Sequence, residues 1–272
     1  MSRGALPVER AAAVSSTGPG QQDGRKALRG KGVPVRIVKY GSSVLRSFQD
    51  VGDVADDILR LRGAGDALII VVSAFEGRTS HLLSEARMFG LSEDHADFAR
   101  HVCIGEIECA AALLGALKAR RVDAVSGTPT RIGLRARGAR TDAEPESVDR
   151  DAVIGLLSAS PVMIVPGYSA IDERGETVLL GRGGSDLSAV HIAAQLGAAR
   201  ATLIKDVDAV YDRDPNRHVG ANRLLSIDYA KALEIGGTLI QPKALRHAQA
   251  KGVAVEIAAL GKPPGTIISG EP

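Results

Sequence analysis

Groups suited to handling anions gather in a few short stretches of the sequence. Lys39 closes the apolar run Val35-Arg36-Ile37-Val38-Lys39-Tyr40 and leads into Gly41-Ser42-Ser43. A turn of small residues leaves backbone N–H groups free to face an anion, and an adjacent ammonium adds charge. The same spelling also suits a surface lysine before an ordinary turn. It is not a Walker A loop, because Gly-x-x-x-x-Gly-Lys-Ser/Thr is absent. The most informative stretch is Leu180-Gly181-Arg182-Gly183-Gly184-Ser185-Asp186. Glycines on both sides of Arg182 let backbone approach a ligand closely. Ser185 and Asp186 open a helix whose N-terminus favours an anion, Arg182 can grip a carboxylate with two N–H groups, and Asp186 can hold an ammonium. The plainer alternative is a glycine-rich turn with a helix cap.

Glu106 precedes Ala110, Leu113, Leu114 and Leu117, so it starts the apolar face of its helix. A carboxylate there needs a partner: either a substrate ammonium, or a structural ion pair or hydrogen bond within the core. Lys205-Asp206-Val207-Asp208-Ala209-Val210-Tyr211 leaves a strand and reaches Arg213-Asp214-Pro215. Such a loop suits a nucleotide, or is only a polar loop. The histidines (His81, His95, His101, His191, His218, His247) show no ligand spacing, which argues against zinc. There is no Gly-x-Ser-x-Gly elbow. Cys103 and Cys109 read as buried free thiols, since six residues apart on one helix they would not face each other.

Those residues need elements to position them. Strand patterns occupy Val35–Tyr40, Ala67–Val72, Val122–Val125, Pro161–Val165, Ala201–Ile204, Val253–Ile257 and Thr266–Ile268. Helical periods lie between them: Val51–Leu59, Ala96–Ala119, Val153–Leu157, Ser185–Leu196, Asp228–Ile235 and Lys243–Lys251. Ser169–Leu180 reads as a hairpin turning at Asp172–Gly175. This alternation predicts a three-layer αβα sandwich with a mostly parallel central sheet. In such a sheet ligands sit beyond the carboxyl ends of the strands, which selects Lys39–Ser43, Ser73–Thr79, Gly181–Asp186 and Lys205–Tyr211. Residues 1–33 carry no apolar period and read as a disordered tail.

The chain has 272 residues and a net charge of +2, with 44% hydrophobic and 24% charged residues. That is enough apolar material for a sizeable core. The near-neutral balance argues against a nucleic-acid partner, and 3% aromatics with no Trp leaves little for base stacking. No apolar run approaches membrane-spanning length, and no secretory signal precedes residue 34. Cysteine usage fits a reducing cytoplasm.

Residues 180–190, Leu-Gly-Arg-Gly-Gly-Ser-Asp-Leu-Ser-Ala-Val, resemble the substrate loop of aspartate kinases. Residues 205–215, Lys-Asp-Val-Asp-Ala-Val-Tyr-Asp-Arg-Asp-Pro, are similar to that family's Thr-Asp-Val-Asp-Gly-Val-Tyr-Thr-Ala-Asp-Pro. Val71–Thr79 is similar to Val-Val-Ser-Ala-Met-Gly-Gly-Val-Thr, Gly105-Glu106 to a helical Gly-Glu, and Ile240-Gln241-Pro242-Lys243 to Leu-His-Pro-Arg/Lys. The motifs stand in the family's order, and the likeness runs from Val35 to Ser269. It implies the amino-acid-kinase fold, divided into an amino-acid substrate lobe (34–178) and a nucleotide lobe (179–272). The implied reaction is transfer of the γ-phosphoryl group of ATP, with Mg²⁺, to the side-chain carboxylate of L-aspartate. By the same match Lys39 contacts the phosphates, Glu106 and Asp186 meet the substrate ammonium, and Arg182 holds its α-carboxylate. Ser73, Thr79, Gly184 and Ser185 are hydrogen-bonding neighbours. Gly41, Ser42, Ser43, Lys205, Asp206, Tyr211, Asp214, Arg217 and Lys243 belong to the nucleotide site. The resemblance also implies a homodimer.

Several residues depart from the family pattern. Lys39-Tyr40-Gly41-Ser42-Ser43-Val44 is one residue shorter than Lys-Phe-Gly-Gly-Thr-Ser-Val and closer to glutamate 5-kinases. Glu76 replaces a glycine, Lys205 replaces a threonine, Asn216 replaces an arginine, and Ser126–Arg135 barely matches. These departures bear on the acceptor more than on ATP. They leave a kinase of glutamate or another carboxylic acid, and a catalytically silent binding homologue, as alternatives. Many aspartate kinases carry C-terminal ACT domains, for which no room remains after Ser269. Feedback through this chain is therefore not expected, and a separate regulatory subunit is a possible partner.

Overall fold

The computed structural model describes residues 35–63, 65–213, 217–236, 239–262 and 264–270. The tail expected over 1–33 lies outside them. Strand β1 (Val35–Tyr40) leads through a short 3-10 turn to helix α1 (Val51–Arg62) and strand β2 (Ala67–Val72). Helices α2 (Arg78–Met88), α3 (Ala96–Val102) and α4 (Ile104–Ala119) precede β3 (Ala124–Ser126). The hairpin β4 (Arg135–Ala139) and β5 (Asp142–Ser147) comes next, then α5 (Arg150–Ala159) and β6 (Val162–Pro166). A second hairpin, β7 (Ser169–Ile171) and β8 (Thr177–Leu179), ends at α6 (Gly184–Leu196) and β9 (Arg200–Lys205). The remainder is β10 (Val210–Tyr211), β11 (Arg223–Leu224), β12 (Ser226–Asp228), α7 (Tyr229–Ile235), α8 (Pro242–Lys251), β13 (Ala254–Ala259) and β14 (Thr266–Ser269).

The central sheet has eight strands in the order β12-β14-β13-β9-β1-β2-β6-β3. The run from β13 to β3 is parallel, and β14 pairs antiparallel with β13. Parallel strands need both faces covered, and side chains alternate between them. Ile37, Ile69, Val71, Met163, Val165, Leu203 and Val255 face α6, α7 and α8, through Val190, Ala193, Ala232 and Leu245. Val38, Tyr40, Leu68, Ile70, Ile164 and Ile204 face α1 and α4, through Val54, Ile58, Leu113 and Leu117. This is the expected three-layer sandwich. Among the described residues no helix is long and apolar enough to cross a membrane.

The period expected as one helix over Ala96–Ala119 is two, separated at Cys103. The faces explain the break. Phe98, Ala99 and Val102 pack with Ala86 and Leu179, whereas Cys109, Leu113 and Leu117 pack on the sheet. One straight helix cannot serve both. Helix α2 and the β4–β5 hairpin were not expected. The first opens after Gly77 on Arg-Thr-Ser-His, and the second buries few of its side chains, so neither carries a strong period. The hairpin at Ser169–Leu180 turns where the sequence puts it. Asp172 Oδ1 accepts from the amides of Arg174 (2.9 Å) and Glu176 (2.8 Å). Both cysteines are free and buried, and burial pushes their thiols up to about 11 and about 12.

Candidate active site

A cleft of about 610 Å³ opens at the carboxyl ends of β1, β2, β6 and β9. It lies where crossovers leave the sheet, as expected for a parallel α/β fold. Lys39, Ser42, Ser73, Thr79, Glu106, Arg182, Gly184, Ser185, Asp186 and Lys205 all line it. Residues separated by as much as the chain from 39 to 205 thus meet in one place.

Lys39 is the next-to-last residue of β1, on the face covered by α6, and Asp186 stands in the first turn of α6. Lys39 Nζ lies 2.6 Å from Asp186 Oδ1, with both side chains buried. Lys205 Nζ lies 3.1 Å from Asp186 Oδ2. One carboxylate therefore spans two ammonium groups from neighbouring strands. Burial lowers the Lys39 ammonium below the ordinary lysine value, with the Asp186 carboxylate opposing and the Lys205 charge adding to the effect. Burial alone would raise the Asp186 carboxyl, but the two lysines outweigh it and hold it below the usual range. Asp186, expected to meet a substrate ammonium, is thus already engaged by the protein.

The turn after β1 closes on the Gly41 carbonyl, which accepts from the amides of Val44 (3.1 Å) and Leu45 (2.9 Å). The amides of Ser42 and Ser43 have no partner among the described residues, so the turn presents N–H groups beside Lys39. Helix α6 starts from Gly183, whose φ of 75° is left-handed. A Cβ there would lie 2.4 Å from the Gln241 side chain, so only glycine fits. Nearly all of α6 is buried, and its N-terminal turn faces the cleft with the positive end of the helix dipole.

Glu106 also lines the cleft. It is buried on α4, and Oε1 accepts from the Ala74 amide at 3.2 Å. Oε2 is buried with no hydrogen-bond partner. Burial pushes the carboxyl up to about 8, against the pull of the Ala74 amide and the Lys39 charge. Of the two partners considered for Glu106, the structure supplies the hydrogen bond within the core, from the Ala74 amide to Oε1, and leaves Oε2 without one on a residue that lines the cleft. Arg182 is exposed at the rim and makes no ion pair or hydrogen bond among the described residues.

Several sequence-selected residues fall outside the lining. Lys243 Nζ bonds Asp142 Oδ1 (2.6 Å) and the carbonyls of Ala143 and Leu180 (both 3.1 Å), which ties the β4–β5 hairpin to the Arg182 loop. Tyr211 donates to Asp208 Oδ1 at 3.0 Å, and Asp206 and Arg217 are exposed. Asp214 is outside the described residues. Glu76 is exposed and lines a separate shallow groove with Phe48 and Arg78, so its charge is not part of the cleft lining. His191 is buried 3.1 Å from His247, between α6 and α8, away from the chemistry. Among the described residues no cluster of His, Cys, Asp or Glu could hold a metal ion.

Sequence reasoning missed Tyr168 and Gln241. Tyr168 lines the cleft at φ 69°, uncommon for a bulky residue, and its ring lies where a Cβ on Gly184 would come within 2.8 Å. Its place one residue after Gly167, just past a strand end, was the available signal. For Gln241, the motif drew attention to Lys243 two positions on.

This geometry has relatives. Residues 34–259 match the model of the amino acid kinase family. An aspartate kinase of Pseudomonas fluorescens is 33% identical over 241 residues, covering 86% of this chain and 58% of its own length. An aspartokinase of Helicobacter pylori is 33% identical over 199 residues, covering 73% of this chain and 49% of its own. Among solved structures, an aspartate kinase from Synechocystis superposes with a TM-score of 0.75 at 25% identity, over 88% of this chain and 40% of that one. The chain spans about half the length of these curated relatives. A match that runs from β1 into β13, and takes in every strand that lines the cleft, makes the chain a member of the amino acid kinase family.

Proposed function

We propose that this chain transfers the γ-phosphoryl group of ATP to the side-chain carboxylate of L-aspartate, giving 4-phospho-L-aspartate and ADP. The observation that carries the reading is the mix of charged groups lining one cleft. Two ammonium groups are locked on Asp186, and the same cleft is lined by a buried carboxyl with one oxygen unbonded and by an exposed guanidinium without an ion pair among the described residues. An amino acid brings complementary charges to the latter two: its ammonium for Glu106 and its α-carboxylate for Arg182. The side-chain carboxylate is then directed toward Lys39.

The chemistry needs no general base. A carboxylic acid with a pKa of about 4 is ionised at neutral pH, so the nucleophile arrives ready. The obstacle is repulsion between a carboxylate and a triphosphate. Lys39, the Ser42–Ser43 amides and the α6 N-terminus offset it by placing positive charge where the phosphoryl oxygens pass. The attacking carboxylate oxygen forms a bond to the γ-phosphorus. The bond from that phosphorus to the β–γ bridging oxygen breaks, and its electron pair leaves with ADP. Mg²⁺ enters as part of the substrate, Mg-ATP; Asp186 is engaged by two lysines, and among the described residues no group of His, Cys, Asp and Glu is set to hold the ion.

Incubation with Mg-ATP, hydroxylamine and a panel of acids tests the reading, because acyl phosphates are trapped as hydroxamates. Hydroxamate with aspartate alone is expected. Product with glutamate or another acid instead would reassign the acceptor, which the Ser126–Arg135 departure would then explain. Neither hydroxamate nor ADP with any acid would mark a silent binding homologue.

A further inference from the structure

Two lysines on one carboxylate are an unusual expense for a fold. Lys39 pairs with Leu203 across the β1–β9 ladder, and Lys205 stands two residues beyond Leu203 on the same strand. Side chains alternate along a strand, so Lys39 and Lys205 point to the same face, the one covered by α6. The first turn of that helix brings Asp186 between them, one oxygen to each. The trio carries a net charge of +1 in a largely buried place, and the two ammonium groups repel each other. Asp186 can satisfy only part of this charge; an anion in the cleft would satisfy the rest.

The two lysines are not equivalent. Lys39 is the more buried, with a 6% exposed side chain against 17% for Lys205. Lys39 stands on β1, which pairs with β2, the strand leading to Ser73 and to the Ala74 amide that bonds Glu106, so Lys39 is the lysine nearer the proposed amino-acid groups. Lys205 sits one strand further away and opens directly into the loop Asp206–Tyr211. The family pattern has threonine at this position, so the ammonium is a feature of this chain's own spelling.

We infer that Lys205 is a second catalytic cation: its ammonium contacts the β–γ bridging region of the triphosphate and stabilises charge arriving on the leaving ADP, while Lys39 serves the incoming carboxylate and the γ-phosphoryl oxygens. Asp186 is the positioning residue that fixes the spacing of both. In the transfer step the negative charge of the attacking carboxylate ends on the β-phosphate of ADP, and no proton moves. Lys39 alone covers only the start of that path. A cation at each end lowers the energy of the intermediate charge distribution more than that of bound ATP, so its main effect falls on kcat.

This inference rests on the phosphoryl-transfer reading, and the tests separate the two. In the full chain, Lys205→Met is compared with wild type for hydroxamate formation, for ADP binding by calorimetry, and for the gain in ADP affinity on adding aluminium fluoride, which mimics the transferring phosphoryl group. Loss of one such electrostatic contact is expected to lower kcat on the order of 100-fold or more. ADP affinity should change less than about fivefold, and most of the aluminium fluoride gain should vanish; Lys205→Arg should restore part of both. Circular dichroism and melting temperature check the fold, and Lys205→Thr gives a second variant should methionine disturb it. The inference is overturned if kcat stays within threefold of wild type. It is equally overturned if ADP affinity falls by the same factor as kcat, which would make Lys205 a ground-state nucleotide contact. Should wild type phosphorylate no acid at all, the acceptor reading fails, yet the aluminium fluoride arm still reports on Lys205: an unchanged gain in Lys205→Met would overturn its role.

Discussion

The charged groups lining the cleft follow two opposite plans. Those proposed to meet phosphate are paired before any ligand arrives: Asp186 holds Lys39 at 2.6 Å and Lys205 at 3.1 Å, at the rigid ends of adjacent strands and the first turn of a buried helix. Those proposed to meet the amino acid are left open. Glu106 has one oxygen without a partner, and Arg182 is exposed and unpaired among the described residues. The difference fits what the proposed reaction asks of each group. Stabilising a transferring phosphoryl group requires dipoles and charges already in place, so that nothing reorganises during the reaction. Recognising an amino acid requires groups that become satisfied only when the right ligand enters, so that a wrong one leaves a buried charge unpaired.

That contrast can be broken most sharply at Lys39. Lys39→Met removes a preorganised charge, and kcat for hydroxamate formation should fall on the order of 10³-fold or more. Asp186 keeps Lys205, so the fold and its far-ultraviolet circular dichroism should persist. Near-normal turnover would mean that the paired half is structural and that the contrast is misassigned.

Glu106 sharpens the comparison from the open side. Glu106→Gln keeps the shape but cannot give up a proton to meet a substrate ammonium, so KM for aspartate should rise roughly 10- to 100-fold, with kcat changing much less. A matching fall in kcat would put Glu106 with the preorganised group. The same residue gives a pH signature. The folded carboxyl stands at about 8, and its ordinary value is 4.5. Between these two values the unfolded chain has released a proton that the folded chain retains. Stability of the ligand-free protein therefore falls as pH rises from about 4.5 to about 8, by an amount on the order of a few kcal/mol. Glu106→Gln has no such loss. Its melting temperature should gain on wild type as pH rises from 6 to 8, then hold level. An unchanging difference across that range would show that Glu106 is already ionised and paired.

The legibility of the molecule follows the same division. The buried strands were readable because parallel strands must be apolar on both faces, as in Ala67-Leu68-Ile69-Ile70-Val71-Val72, all six of them buried. The cleft's position was readable too, since strand ends are where loops collect chemistry. Partnerships across the cleft were not. Nothing local in Ser185-Asp186 says that the carboxylate is held by lysines from two different strands; that depends on the β1–β9 register. Lys243 shows the converse. A motif put it near the nucleotide, but its ammonium is taken up by Asp142 and two carbonyls of a hairpin too polar to announce itself. Helix α2 was missed because its buried side is thin: only Leu82 and Ala86 are fully covered.

Arg182 offers the smallest and most discriminating test. Its guanidinium is exposed and its loop is shaped by glycines at positive φ, so it contributes nothing visible to the packing. Arg182→Ala should leave the melting temperature within about 2 °C of wild type, as expected for a surface change without a structural partner. If the open groups recognise an amino acid by both its charges, KM for aspartate should still rise up to about fivefold, because an exposed ion pair is worth about 0.2–1 kcal/mol. The informative comparison is with a substrate lacking the α-carboxylate, such as β-alanine. Wild type should discriminate strongly against β-alanine, and Arg182→Ala should narrow that gap by lowering the advantage of aspartate. An undiminished preference would mean that another group reads the α-carboxylate. Arg182 would then move to the phosphate side of the cleft, where its loss should appear in the KM for ATP instead.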